Sequence, residues 1–139
     1  MEYRNFGDHY VIRLEKGEEI VAQIIELCEK EGIKLASLTG IGAVNKVTAG
    51  LFKTKEKKYV SKTYEEDMEI VSLGGNVSRM NGETYLHLHI SVANEAGMVR
   101  GGHLSEALIS ATGELVLTKI EGTVEREFSE EIGLNLFQF

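Results

Sequence analysis

The chain has 139 residues, 42% hydrophobic and 27% charged, with one cysteine, no proline and a net charge of −7. This predicts one folded domain over residues 1–139, with core enough to fold without a metal or disulfide, and it excludes a disordered chain, a polyproline ligand and a disulfide scaffold. The acidic balance disfavours a nucleic-acid coat. No apolar run reaches the ~18 residues of a membrane span and no signal-peptide core is visible, so a reducing, cytoplasmic setting is expected.

In chain order, Tyr10–Leu14 reads as a short strand, broken at Lys16-Gly17. His9 falls in what reads as an unstructured approach to it. From Glu18 the period changes. Ile20, Val21, Ile24, Leu27 and Cys28 lie three and four apart and predict an amphipathic helix, with Glu18 and Glu19 in its first turn and Gly32 ending it. Cys28 falls on the apolar face, as a small core residue. Strands are then expected at 33–39, 46–53, 58–64, 68–73, 84–94, 114–120 and 123–128. Gly40/Gly42, Gly74-Gly75-Asn76, Asn81-Gly82, Glu95-Ala96-Gly97 and Gly101-Gly102 read as the turns between them. The expected class is α+β: a mostly antiparallel sheet of about seven strands with one main helix packed on it.

The stretch Tyr85-Leu86-His87-Leu88-His89-Ile90-Ser91-Val92 carries the strongest chemical pattern. Strand side chains alternate faces, so Leu86, Leu88, Ile90 and Val92 point to a core and Tyr85, His87, His89 and Ser91 point away. Two imidazoles at i and i+2 are close enough to chelate one ion. His103 follows soon after, behind Gly101-Gly102, where a glycine turn would deliver it to complete a three-histidine site. Three histidines with one open position suit a divalent metal, with zinc expected.

Other patterns carry less. Gly40-Ile41-Gly42 lacks the third glycine of a dinucleotide loop, since position 45 is Asn45 and a strand follows. Lys53, Lys55, Lys57, Lys58 and Lys62 are answered by Glu56, Glu65, Glu66, Asp67 and Glu69, and read as a solvated hairpin. No nucleophile elbow is present.

Several of these residues also resemble one family. Thr39–Val44, Met68–Ser78, His87-Leu88-His89 and Gly97–Leu104 occur in the order of the plant-and-prokaryote-conserved (PPC) domain, with the match strongest over residues 10–128. The resemblance implies a stand-alone prokaryotic type, a β-rich fold similar to acetolactate decarboxylase, and assembly as a homotrimer. It also implies a metal on His87, His89 and His103, which plant members generally lack. Plant members join the domain to AT-hooks that bind DNA; no AT-hook occurs here, and the plant Gly-Arg-Phe-Glu-Ile-Leu segment is replaced by Glu66-Asp67-Met68-Glu69-Ile70-Val71.

The reading that follows is a trimeric, cytoplasmic metal-binding protein with a small-molecule or regulatory role. A zinc-dependent lyase acting on a small carboxylate or keto acid is the alternative. Catalytic residues are not assigned by the sequence, although Glu69 and Arg100 are the nearest acid–base candidates. DNA as a partner, the label common in the family, is disfavoured by charge.

Overall fold

The structure is a computed structural model covering residues 1–139. The elements run β1 (Glu2–Phe6), β2 (His9–Glu15), α1 (Ile20–Glu31), β3 (Ala36–Lys53), β4 (Lys58–Tyr64), β5 (Met68–Met80), β6 (Glu83–Asn94), β7 (Val99–Lys119), β8 (Arg126–Ser129) and β9 (Leu134–Phe137). Seven strands form one sheet in the order β1-β2-β7-β6-β5-β3-β4, with every pairing antiparallel. One helix beside this sheet makes the fold α+β.

β3 pairs with β5 on one side and β7 on the other, so β3, β5, β6 and β7 close into a ring. β1–β2 and β4 extend from that ring and leave β1 and β4 as outer edges. β8 and β9 form a separate hairpin that lies beside β5, tied to it by the bridge between Arg79 and Glu125.

The core follows the period-two pattern of the strands. Tyr10, Ile12 and Leu14 of β2 are buried while their neighbours are exposed, and Leu88, Ile90 and Val92 of β6 are buried between half-buried or exposed neighbours. Burying such side chains contributes about 1.5–3 kcal/mol each. Ile20, Ile24, Leu27 and Cys28 form the buried stripe of α1 and join the same core.

The helix begins two residues later than its sequence suggests, at Ile20. Glu19 is its N-cap and not a first-turn residue; its carboxylate accepts the N–H groups of Val21 (3.0 Å) and Ala22 (2.7 Å). The same carboxylate accepts the Ala107 N–H (3.0 Å), which pins the helix start to β7. Glu18 lies outside the helix and accepts from the Glu15 N–H at 2.8 Å. Gly32 ends the helix as expected, in the left-handed conformation.

Three expected turns are strand interiors. Gly40/Gly42 lies within β3, Gly74-Gly75-Asn76 within β5 and Gly101-Gly102 within β7. Here glycine allows close backbone approach and does not reverse the chain. A Cβ on Gly101 would overlap the Ile90 carbonyl oxygen, and one on Gly102 the Gly50 carbonyl oxygen. Asn81-Gly82 is the tight β5–β6 turn, with both residues at positive φ, as hairpins of this length require. His9 opens β2 opposite Phe6 and Thr118, so it is not in an unstructured approach. The expected strand at 123–128 is reduced to β8, which starts at Arg126.

Candidate metal centre

β6 and β7 build the site. His87 and His89 project from the face of β6 opposite Leu88 and Ile90, both of which are in the core. His103 on β7 is the direct cross-strand partner of His89. Residues directly opposite in an antiparallel pair share a face, so all three imidazoles gather on one side. The ring centroids are 5.2 Å apart for His87–His89, 5.4 Å for His87–His103 and 5.8 Å for His89–His103. One ligand atom from each lies within 4.8 Å of the others.

His103 therefore arrives by strand pairing and not by a glycine turn. The glycines before it let β7 press against β6 at Ile90–Ser91 and against β3 at Gly50. That close approach brings the third imidazole into line with the other two.

The electrostatics favour neutral rings at His87 and His103. Burial lowers the pKa of His87 from its ordinary value, with the Arg126 charge and the other two histidines adding to it. Burial and His89 lower that of His103. Uncharged imidazoles present lone pairs at neutral pH, which is the form that coordinates metal. His103 Nδ1 is a fully buried nitrogen without a hydrogen-bond partner, and no other buried side-chain nitrogen or oxygen lacks one. Buried polar atoms are nearly always paired, and a coordinated ion is one way to satisfy such an atom. Donor set, spacing and this orphaned nitrogen all fit a divalent cation that takes imidazole.

Aromatic side chains wall the site. Tyr59 of β4 lies 5.3 Å from the His103 ring, and Phe52 of β3 lies 5.2 Å from Tyr59. Tyr85 precedes His87 by two residues on the same face. Beyond it stands Arg126, whose guanidinium is stacked 4.7 Å from the Tyr85 ring and 4.2 Å from that of Phe137. Arg126 also donates to Asn76 Oδ1, Ser78 Oγ and the Asn135 carbonyl, at 2.9, 2.8 and 2.9 Å. Asn76 is the cross-strand partner of His87.

Neither acid–base candidate reaches the imidazoles. Arg100 is bound to Glu66 at 2.6 Å and stacked on Tyr64. Glu69 pairs with Ala93 near the far end of β6 and is exposed. Tyr59, Asn76 and Arg126 were not singled out by sequence. Asn76 resembled a turn residue, and Arg126 lies 50 positions from Asn76 with no motif around it.

The profile of the Plants and Prokaryotes Conserved (PCC) domain matches residues 1–121. Among solved structures, a protein from Bacteroides thetaiotaomicron with a provisional DNA-binding label is 36% identical, with a TM-score of 0.96 over 99% of this chain and 96% of that one. A metal-containing protein from Archaeoglobus fulgidus is also 36% identical, with a TM-score of 0.88 over 99% and 97% of the two chains. Acetolactate decarboxylase from Bacillus subtilis shares the fold at 13% identity and a TM-score of 0.56, over 84% of this chain and 54% of that enzyme. The bifunctional protein GlmU of Synechococcus sp. (strain JA-3-3Ab) is 27% identical over 124 residues; these are 88% of this chain but only 18% of that protein.

Proposed function

The chain belongs to the Plants and Prokaryotes Conserved domain family, and from that premise we propose that it is a metal-binding member holding one divalent ion, zinc, on His87, His89 and His103. The observation that carries this reading is the convergence of three imidazoles, one with an orphaned buried nitrogen. A relative 36% identical over nearly its whole length is described as metal-containing, which supports the same reading. Zinc on three histidines keeps a fourth position open, where it acts as a Lewis acid toward an oxygen ligand. A small-molecule or regulatory role in the cytoplasm follows for the protein. The cluster contains no carboxylate to move a proton, so the lyase reading stands second.

Duplex DNA fits this surface poorly. The net charge is −7, and the lysines near the β3–β4 tip are interleaved with carboxylates, as in the Lys53–Glu56 pair at 3.2 Å.

The deciding experiment is metal content, by elemental analysis after zinc reconstitution and desalting. Wild type should carry one zinc per chain. His87→Ala, His89→Ala and His103→Ala should each carry little, with thermal unfolding close to that of metal-free wild type because no core side chain changes. Equal zinc in all four proteins, or none in wild type, would refute the assignment.

A further inference from the structure

Arg126 is only 8% exposed, yet no carboxylate lies within ion-pairing distance of it. Its three hydrogen-bond acceptors are all neutral: a hydroxyl, an amide and a backbone carbonyl. An isolated buried charge is costly, and proteins ordinarily pair it. Five N–H donors are available to a guanidinium and three bonds are made, so part of its fork is left over.

Its position gives the charge a use. Arg126 is held by Asn76, which sits directly across from His87, and it stacks on Tyr85, two residues from His87 on the same face of β6. Neighbours of this kind on a sheet are about 5–8 Å apart. The guanidinium is thus a fixed positive charge at the margin of the histidine cluster, clamped between Tyr85 and Phe137. A planar guanidinium held this way is suited to a carboxylate or another oxyanion.

We propose that Arg126 makes this site selective for anions: the ligand that takes the open metal position carries a carboxylate or equivalent oxyanion, whose charge Arg126 compensates. The proposal rests on the metal reading above and deepens it by naming the ligand class. It also gives the aromatic walls a role, since Tyr59 and Tyr85 would flank an organic body attached to that oxyanion.

The test uses Co²⁺-loaded protein, because the visible spectrum of Co²⁺ reports an added ligand directly. Acetate is the anionic probe and imidazole the neutral one. Three proteins are compared: wild type, Arg126→Gln and Asn76→Asp. Arg126→Gln removes the charge. Asn76→Asp keeps Arg126 and its hydrogen bond in place but neutralises it with a near-isosteric carboxylate. Both variants should bind acetate at least about ten-fold more weakly than wild type while imidazole affinity is unchanged.

An Arg126 that only anchors the β8–β9 hairpin predicts otherwise. Arg126→Gln would then leave acetate binding intact, since its loss would fall on the hairpin and not on the ligand. That result, or an equal loss for both probes, overturns the proposal with the metal reading still standing. Should Arg126→Gln fail to fold, Arg126→Lys decides: it keeps the positive charge but not the planar fork that anchors the hairpin, so acetate affinity near that of wild type upholds the proposal and a loss of about ten-fold overturns it. Failure of wild type to take up Co²⁺ would instead remove the metal reading and this proposal with it.

Discussion

Burial, with the nearby Glu29 charge adding to it, pushes the Cys28 thiol up to about 12. A thiol in that state is not a nucleophile at neutral pH, because only the thiolate reacts. Cys28 should therefore resist a disulfide reagent such as dithionitrobenzoate in the native protein and react once in denaturant. Rapid labelling of the folded protein would contradict its place in the core. The position of Cys28 was legible from sequence because Ile24 lies four residues before it on one helical face. His87 and His89 were legible for a similar reason, since alternation with Leu88 and Ile90 fixes which way they point. Arg126 was not. Its value comes from Asn76, Ser78 and Tyr85, which are 41 to 50 positions away and bring no local pattern with them.

At the level of elements, the strands themselves could be read, but their continuity could not. Gly74-Gly75-Asn76 and Gly101-Gly102 look like turns because glycine is common in turns. In the fold they allow adjacent backbones to approach where a Cβ would collide. This makes Gly101→Ala a sharp test of the β6–β7 register. The added methyl meets the Ile90 carbonyl oxygen, backbone that cannot swing aside. A loss of about 1–3 kcal/mol or more is expected in urea unfolding, together with loss of bound zinc because His89 and His103 no longer face each other. Unchanged stability and zinc content would mean that Gly101 is not a contact point.

The helix is tied to the β5–β6 hairpin through Glu29, which accepts from the Thr84 hydroxyl and from Arg79, the latter at 2.9 Å. Those two bonds hold its carboxyl below the usual carboxylate range. A lowered folded pKa stabilises the protein above the unfolded pKa, and that contribution is lost as pH falls through the folded value. Wild type should therefore melt above Glu29→Gln at pH 7, with the gap closing as pH falls below the ordinary glutamate value of about 4.3. A gap independent of pH would show that the charge of Glu29 has no part in it. The effect should be small, as the group is exposed.

For the whole molecule, the outer face of the sheet carries exposed Phe6, Val11, Ile41, Val71 and Val116 around one groove. Contiguous apolar surface of this kind marks an association site. Glu2, Arg4, Arg13 and Glu114 line the same groove and offer both signs of charge, which suits a second copy of the chain. β1 and β4 also leave open edges. We propose that the chain assembles as a trimer through these surfaces. Sedimentation equilibrium should give three times 15.4 kDa for wild type, and Val71→Glu should lower the mass without unfolding the chain. A monomeric wild type at micromolar concentration would end this idea. The sequence hinted at association only through its resemblance to a family. Which apolar residues stay uncovered depends on ring closure between β3 and β7, and that pairing joins positions 53 apart at Gly50 and His103 and 83 apart at Ala36 and Lys119.

That ring closure also sets a calendar for the histidines. The chain is made from its N-terminus, and His87 and His89 emerge before the strand that bears His103. β7 is held by β3 and β2 as well as by β6, so its docking waits on partners drawn from across the chain. Pairings of such long sequence separation form slowly. The three imidazoles thus come together only once β7 has docked, so any ion they hold would meet a site that the strand pairings have already shaped.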